Sequence, residues 1–180
     1  MVGRVFVGVD LPEDARAALA AGVDGWLAGR PLPGRPVPPP NWHITFRFLG
    51  DVGDVEYDRL VMALDEADLG GKFRLSVGGF GAFPRLGKAT VTWTGVQQGR
   101  EKLGVLAESV EEACCRAGFG EDGRPFKGHI TLSRIRPPMD ISEYSGGPLE
   151  VEFEVSSVTV FRSHLGGGTW YERMEEFPLG

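Results

Sequence analysis

Residues 38–50 read PPPNWHITFRFLG, and residues 124–136 read RPFKGHITLSRIR. Each places a histidine inside a run that otherwise looks like a half-buried strand. A titratable ring in that setting is either a hydrogen-bonded core residue or a working one. The chain has three histidines and seven threonines. Two of three histidines would have threonine at +2 by chance in roughly 0.5% of cases. The repetition therefore carries information that neither His-Ile-Thr carries alone.

Residues two apart on a strand share a face. His43 and Thr45 thus point one way, with Trp42, Ile44, Phe46 and Phe48 turned toward the core. His129 and Thr131 do the same, backed by Ile130 and Leu132. The same alternation puts Arg47 on the His43 face. It puts Ser133, not Arg134, on the His129 face, so Arg134 joins its histidine only if the strand ends or bulges.

Working outward, the two motifs occupy equivalent places in a repeat. A strand over Arg4–Val9, a helix from Pro12 to about Ala28, and the loop GRPLPGRPVPPP precede the strand His43–Leu49. Asp10 reads as the helix N-cap, with Glu13 as its capping-box partner. A strand over Ala89–Val96, a helix over Gln98–Ala117, and the loop GFGEDGRPFKG precede the strand His129–Ile135. Leu103, Leu106, Val110 and Ala113 in that helix have the spacing of a buried face. Between the units lie a helix over Val55–Asp68 and a strand over Phe73–Phe80. A strand over Leu149–Arg162 and another from Thr169 to about Phe177 close the chain. The two histidines lie 86 residues apart in a chain of 180. This order predicts an α+β fold, bilobal, with two duplicated lobes related by a pseudo-twofold axis. The lobes are read as intertwined parts of one domain over residues 1–180.

The bulk properties exclude several function classes. With a net charge of −6, the chain lacks the overall basic character of a protein that coats nucleic acid non-specifically. The start, MVGRVFVGVDLP, lacks the long apolar run of a signal peptide or membrane span, and no later segment supplies one. Cys114 and Cys115 are neighbours on a helix, which disfavours a bond between them. They read as reduced packing residues, which points to the cytoplasm. No zinc-ligand spacing is present. His164, before LGGG, reads as a solvated loop histidine, and Gly78-Gly79-Phe80-Gly81 as a structural turn rather than a phosphate loop.

Brought to one cleft, two imidazoles and two hydroxyls suit phosphoryl chemistry. One imidazole can take a proton while the other gives one, and threonine hydroxyls can hold non-bridging phosphate oxygens. Such a pair needs no metal or other cofactor. Arg47, Arg124, Lys127, Arg134 and Arg136 cluster around the motifs and would supply the local positive potential.

The pair HITF and HITL resembles the duplicated motif of the two-histidine (2H) phosphoesterases. FVGVDLP, NWHITFRFLG, RPFKGHITLSR and VTVFRS…GGGTWYE resemble, in order, the bacterial and archaeal RNA 2′,3′-cyclic phosphodiesterase branch, also called 2′-5′ RNA ligase. The resemblance implies two antiparallel sheets flanking a cleft and hydrolysis of RNA 2′,3′-cyclic phosphate ends to 2′-phosphates. It implies His43 as proton donor and His129 as proton acceptor, with Thr45, Thr131 and Arg134 holding the phosphate. Gly128 stands where the family has proline, and Phe46 where leucine is commoner. The implied partner is an RNA end, with tRNA halves suggested by the family name; a monomer is the default. Two other readings stay open: a phosphodiesterase of a small nucleotide such as an ADP-ribose cyclic phosphate, and a non-catalytic binder of RNA ends. A histidine-based metal protein is disfavoured, because no carboxylate or cysteine ligands accompany either motif.

Overall fold

The computed structural model describes residues 1–180 as nine strands, three helices and one 3-10 turn. In chain order these are β1 (Gly3–Asp10), α1 (Glu13–Leu27), β2 (Arg35–Pro36), the 3-10 turn (Pro39–Asn41), β3 (His43–Val52), α2 (Asp54–Glu66), β4 (Phe73–Arg85), β5 (Lys88–Gln98), α3 (Arg100–Arg116), β6 (His129–Met139), β7 (Val151–Val155), β8 (Ser157–His164) and β9 (Trp170–Pro178). Read across the sheet, the order is β9-β8-β1-β3-β6-β5-β4-β7.

This order is a palindrome of roles. β9-β8-β1-β3 form one half and β7-β4-β5-β6 the other, with the two motif strands innermost. The two motif strands, β3 and β6, are joined by a single backbone pair, Ile44 with Ile130. Beyond that bridge β3 departs, and β2 takes over the β6 edge, pairing Arg35 with Arg134 and Pro36 with Ser133. The proline-rich loop thus carries a short strand of its own, which its composition concealed. Proline fits there because β2 is an edge strand that need not donate on its outer side. Gly34 has φ +82°, and a Cβ there would lie 2.5 Å from the Arg134 carbonyl oxygen, so only glycine allows the approach.

The helices pack on the sheet through the faces their spacing specifies. Leu103, Leu106, Val110 and Ala113 of α3 are buried, as are Leu60 and Leu64 of α2 and Leu19, Val23 and Leu27 of α1. These join Ile44, Val52, Leu75, Ile130 and Leu132 in one continuous core. β1 is buried on both faces from Val5 to Val9, because Phe6 is covered by an aromatic cluster on the side opposite the helices.

Several sequence expectations are corrected. The expected strand Leu149–Arg162 is two strands in opposite halves of the sheet: β7 pairs with β4 and β8 with β1. Only one residue separates them, so the chain crosses between the halves there and intertwines them. Asp10 does not cap α1; Pro12 occupies that position with no side-chain cap. The Asp10 carboxylate instead accepts hydrogen bonds from Arg16 and Arg173. Gly78–Gly81 is a bulged stretch of β4, not a turn, and the indole of Trp93 fills the space a Cβ at Gly81 would need. His164 ends β8, stacks on Trp170 at 4.1 Å between centroids and hydrogen-bonds Glu172 at 2.7 Å, so it is a structural residue. Cys114 and Cys115 are free thiols on α3, as expected. Burial pushes the Cys114 thiol up to about 12, so it is no nucleophile. No helix is long and apolar enough to cross a membrane.

Candidate active site

A cleft of ≈ 1420 Å³ opens between the halves, and His43, Thr45, His129, Thr131 and Arg134 all line it. The Ile44–Ile130 bridge explains the convergence. With those two residues turned into the core, the residues on either side of each must point the other way. Antiparallel register then sets His43 near Thr131 and Thr45 near His129.

Each histidine is held by the same device. His43 Nδ1 donates to the carbonyl of Asn41 at 2.8 Å, and His129 Nδ1 to the carbonyl of Lys127 at 2.7 Å. Because a carbonyl only accepts, both rings are fixed with Nδ1 protonated, which leaves Nε2 of each neutral ring as the acceptor. In the neutral ring of His43, Nε2 accepts a hydrogen bond from the Thr45 hydroxyl at 2.8 Å.

Behind His43 stands a buried charge network that the sequence reading missed. Arg16, only 6% exposed, donates to the carbonyls of Pro39 at 2.8 Å, Pro40 at 3.1 Å, Trp42 at 3.4 Å and Leu11 at 2.9 Å, and to Asp10 at 2.8 Å. It therefore fastens the 3-10 turn that presents the Asn41 carbonyl. Asn41 itself donates through its side chain to the Thr169 carbonyl at 2.8 Å, tying the glycine-rich β8–β9 hairpin to the same point. Burial alone would raise the Asp10 carboxyl, but hydrogen bonds from Arg173 and Arg16 outweigh it and hold the group below its usual range. The signal was present: Arg16 falls at helical spacing with Leu19, Val23 and Leu27 on the buried face of α1.

The surroundings favour neutral imidazoles in the free protein. Phe6 lies 4.7 Å from the His43 ring, Phe161 5.6 Å, and Tyr171 meets it edge-on at 5.2 Å. This burial pushes His43 down to about 4, helped by His129 and Arg134 and opposed by the Asn41 carbonyl and Asp10. His129 is lowered too, first by burial and then by Arg134, against the Lys127 carbonyl. Phe83 stands edge-on to the His129 ring at 5.0 Å.

Arg134 reaches the cleft because β6 bulges. Thr92 pairs with Ser133 and Trp93 with Thr131, so Leu132 is the extra residue. Ser133 is buried behind the strand, sharing a hydrogen bond with Thr92, and Arg134 emerges on the His129 side. β3 bulges at the matching place: Val7 pairs with Arg47 and Gly8 with Thr45, leaving Phe46 extra. Arg47 is therefore not on the His43 face. It is buried and ion-paired with Glu111 at 2.8 Å. Phe48, expected in the core, lines the cleft instead and is 58% exposed, whereas Phe46 is half-buried, packed against the core as expected and reaching the cleft wall. The two halves thus place Phe48 and Arg134 at equivalent posts, an aromatic face and a cation. Lys127 and Arg124 also line the cleft, Arg124 paired with Asp122, whereas Arg136 lies beyond it. Gly128 is packed closely, since a Cβ there would sit 2.8 Å from Leu103 Cδ2.

No group of three or more His, Cys, Asp or Glu side chains is placed to hold a metal ion. What the cleft offers is two Nε2 atoms, two hydroxyls and a guanidinium around one space. That set can bind a phosphate and move protons on both sides of it.

Comparison with known proteins agrees with this geometry. The family model described as LigT-like phosphoesterase matches twice, over residues 9–93 and 95–171, one copy for each motif. A relative from Archaeoglobus fulgidus named RNA 2′,3′-cyclic phosphodiesterase is 37% identical over 74% of this chain and 73% of its own. One of the same name from Thermus thermophilus is 34% identical over 98% and 90%. The crystal structure of E. coli LigT complexed with 3′-AMP superposes with a TM-score of 0.82 at 27% identity, covering 98% of both chains.

Proposed function

Because the chain belongs to the LigT-like phosphoesterase family, we propose that it hydrolyses RNA 2′,3′-cyclic phosphate ends to 2′-phosphates without a metal. The observation that carries the reading is the pair of carbonyl-fixed imidazoles, His43 and His129, presenting Nε2 to one cleft. A binder of RNA ends would need cations more than this pair. The 180 residues would act as one domain, since each of the intertwined duplicated lobes supplies half of the site.

In this mechanism the cyclic phosphate sits between the motifs, with Thr45 and Thr131 donating to its non-bridging oxygens and Arg134 neutralising its charge. Water attacks phosphorus opposite the 3′ oxygen while His129 Nε2 takes its proton. The P–O3′ bond breaks, and the 3′ oxygen receives the proton of His43 Nε2, leaving the phosphate on the 2′ oxygen. The acid must be charged, yet burial keeps His43 neutral in the free protein. The phosphate anion supplies the difference, because a negative charge beside an imidazole favours its protonated form. Phe48 offers a stacking face for the terminal base. A 5′-hydroxyl in place of water would give a 2′-5′ linkage by the same proton transfers, which accounts for ligation without further groups.

The natural substrate on this reading is a cleaved RNA such as a tRNA half, handled by a monomer in the cytoplasm. The test is the product of an oligonucleotide ending in a 2′,3′-cyclic phosphate, identified by phosphorus NMR. A 2′-phosphate is expected; a 3′-phosphate would mean that the 2′ oxygen is expelled, against the proposed direction, and unchanged substrate would remove the enzyme.

A further inference from the structure

We propose that the RNA chain leaves this site across Arg35 and Arg136, which form a subsite for the phosphates upstream of the reacting end; the inference rests on the phosphodiesterase reading above. Arg35 and Arg134 are direct partners in the β2–β6 ladder. Their side chains therefore lie on the same face, which is the face Arg134 shares with the cleft. Arg136 follows Arg134 with buried Ile135 between them, so it too leaves from the exposed side. Two residues of strand span roughly 7 Å, which places Arg136 past the reacting phosphate rather than on it.

Like charges directly opposite each other in a sheet are destabilising. Arg35 faces Arg134 all the same, both are exposed, and no ion pair of the molecule includes Arg35, Arg134 or Arg136. A short edge strand also holds Arg35 in place, through the Val37 amide donating to the Leu132 carbonyl at 2.8 Å. Three positioned, unneutralised guanidiniums on one side of the cleft match a polyanion.

The opposite side repels one. On α3 and the loop after it, Glu108, Glu112 and Glu121 line the cleft exposed and without ion pairs. The cations there are largely engaged: Arg124 with Asp122, Arg116 with the Ala63 carbonyl, and Lys127 over the Phe83 ring. An oligonucleotide anchored at the two histidines is thus steered over β2 and β6.

The experiment compares kcat/KM on a mononucleoside 2′,3′-cyclic phosphate with that on an oligonucleotide bearing the same end, across a salt series. Arg35→Gln should lower the oligonucleotide value about 3- to 10-fold at low salt and flatten its log–log salt slope by roughly 0.7. The mononucleotide value should not change, and the melting temperature should not fall, since a repulsive pair is removed. Glu112→Gln removes a repelling charge and should leave oligonucleotide turnover unchanged or slightly raised, never lowered. Equal loss on both substrates, no loss on either, or a loss of oligonucleotide turnover in Glu112→Gln would overturn the proposed path. If the unaltered enzyme turned over neither substrate, the phosphodiesterase reading itself would fall, a result the salt series cannot mimic.

Discussion

Ile44 and Ile130 are the sole backbone partners between β3 and β6, and that one contact registers the two motifs against each other. Both are fully buried, so each forces its flanking histidine and threonine into the cleft. The two imidazoles are then placed by sheet geometry rather than by loops. Sites carried on strands are more precisely held than sites on loops.

Replacing either histidine by alanine should remove most turnover while leaving the fold intact, with losses of about 10² to 10⁴ in rate. The double replacement should lose far less than the product of the two, since the pair acts as a unit. Single-turnover rates of the four proteins measure this. Fully multiplicative losses would mean the rings act independently.

The pH dependence follows from the burial of His43. In the free enzyme His43 lies near 4 and His129 is also below its ordinary value, so the kcat/KM bell should fall on the acid side of neutrality. Its apparent pKa values belong to the coupled pair. The kcat profile should move to higher pH, because bound phosphate favours protonation of both rings. Arg134→Gln should raise KM and shift the kcat/KM bell upward, because the arginine lowers both histidines. A flat profile between pH 4 and 8 would contradict the acid–base pair.

The same shift governs stability. His43 binds its proton more weakly folded than unfolded, so below its ordinary pKa the unfolded chain takes up a proton that the folded one refuses. Its contribution is present above about pH 6.5 and is lost as pH falls toward about 4. His43→Gln should therefore melt closer to, or above, the parent at pH 5 than at pH 8. Parallel melting curves at the two pH values would show that His43 is not desolvated.

Arg16→Met should destabilise by about 2 to 4 kcal/mol, because it takes the donor from four carbonyls around the 3-10 turn, while Asp10 keeps Arg173. Arg16→Lys keeps the charge but not the planar fork and should recover little. Where the variants fold, NMR of His43 should show the Nδ1 proton less protected, as the Asn41 carbonyl loosens. An unchanged His43 signal would confine Arg16 to stability.

Phe48→Ala should raise KM with little effect on melting, since the ring is mostly exposed and base stacking contributes about 1 to 3 kcal/mol. Phe48→Trp should preserve binding. A large drop in melting temperature would return Phe48 to the core, where strict alternation had placed it.

That misplacement shows where the sequence stops being legible. The duplicated order, the α3 face and the four motif residues follow from periodicity and repetition, because side chains two apart must share a face. The bulges at Phe46 and Leu132 are invisible to that rule. They arise from pairing with β1 and β5, which local sequence does not encode, and they exchange Arg47 for Phe48 and Ser133 for Arg134. Asp10 was misread for a related reason: its local pattern fits a helix cap, but two arginines, one of them 163 residues away, compete for the carboxylate and win.

The proposed reaction needs two imidazoles to move protons around one phosphate with no metal. The most direct measurement is turnover of an oligonucleotide with a 2′,3′-cyclic phosphate end in the presence of excess chelator. An undiminished rate giving a 2′-phosphate, absent in the His43→Ala protein, is the predicted result. A rate that collapses with chelator and returns with a divalent cation would contradict it.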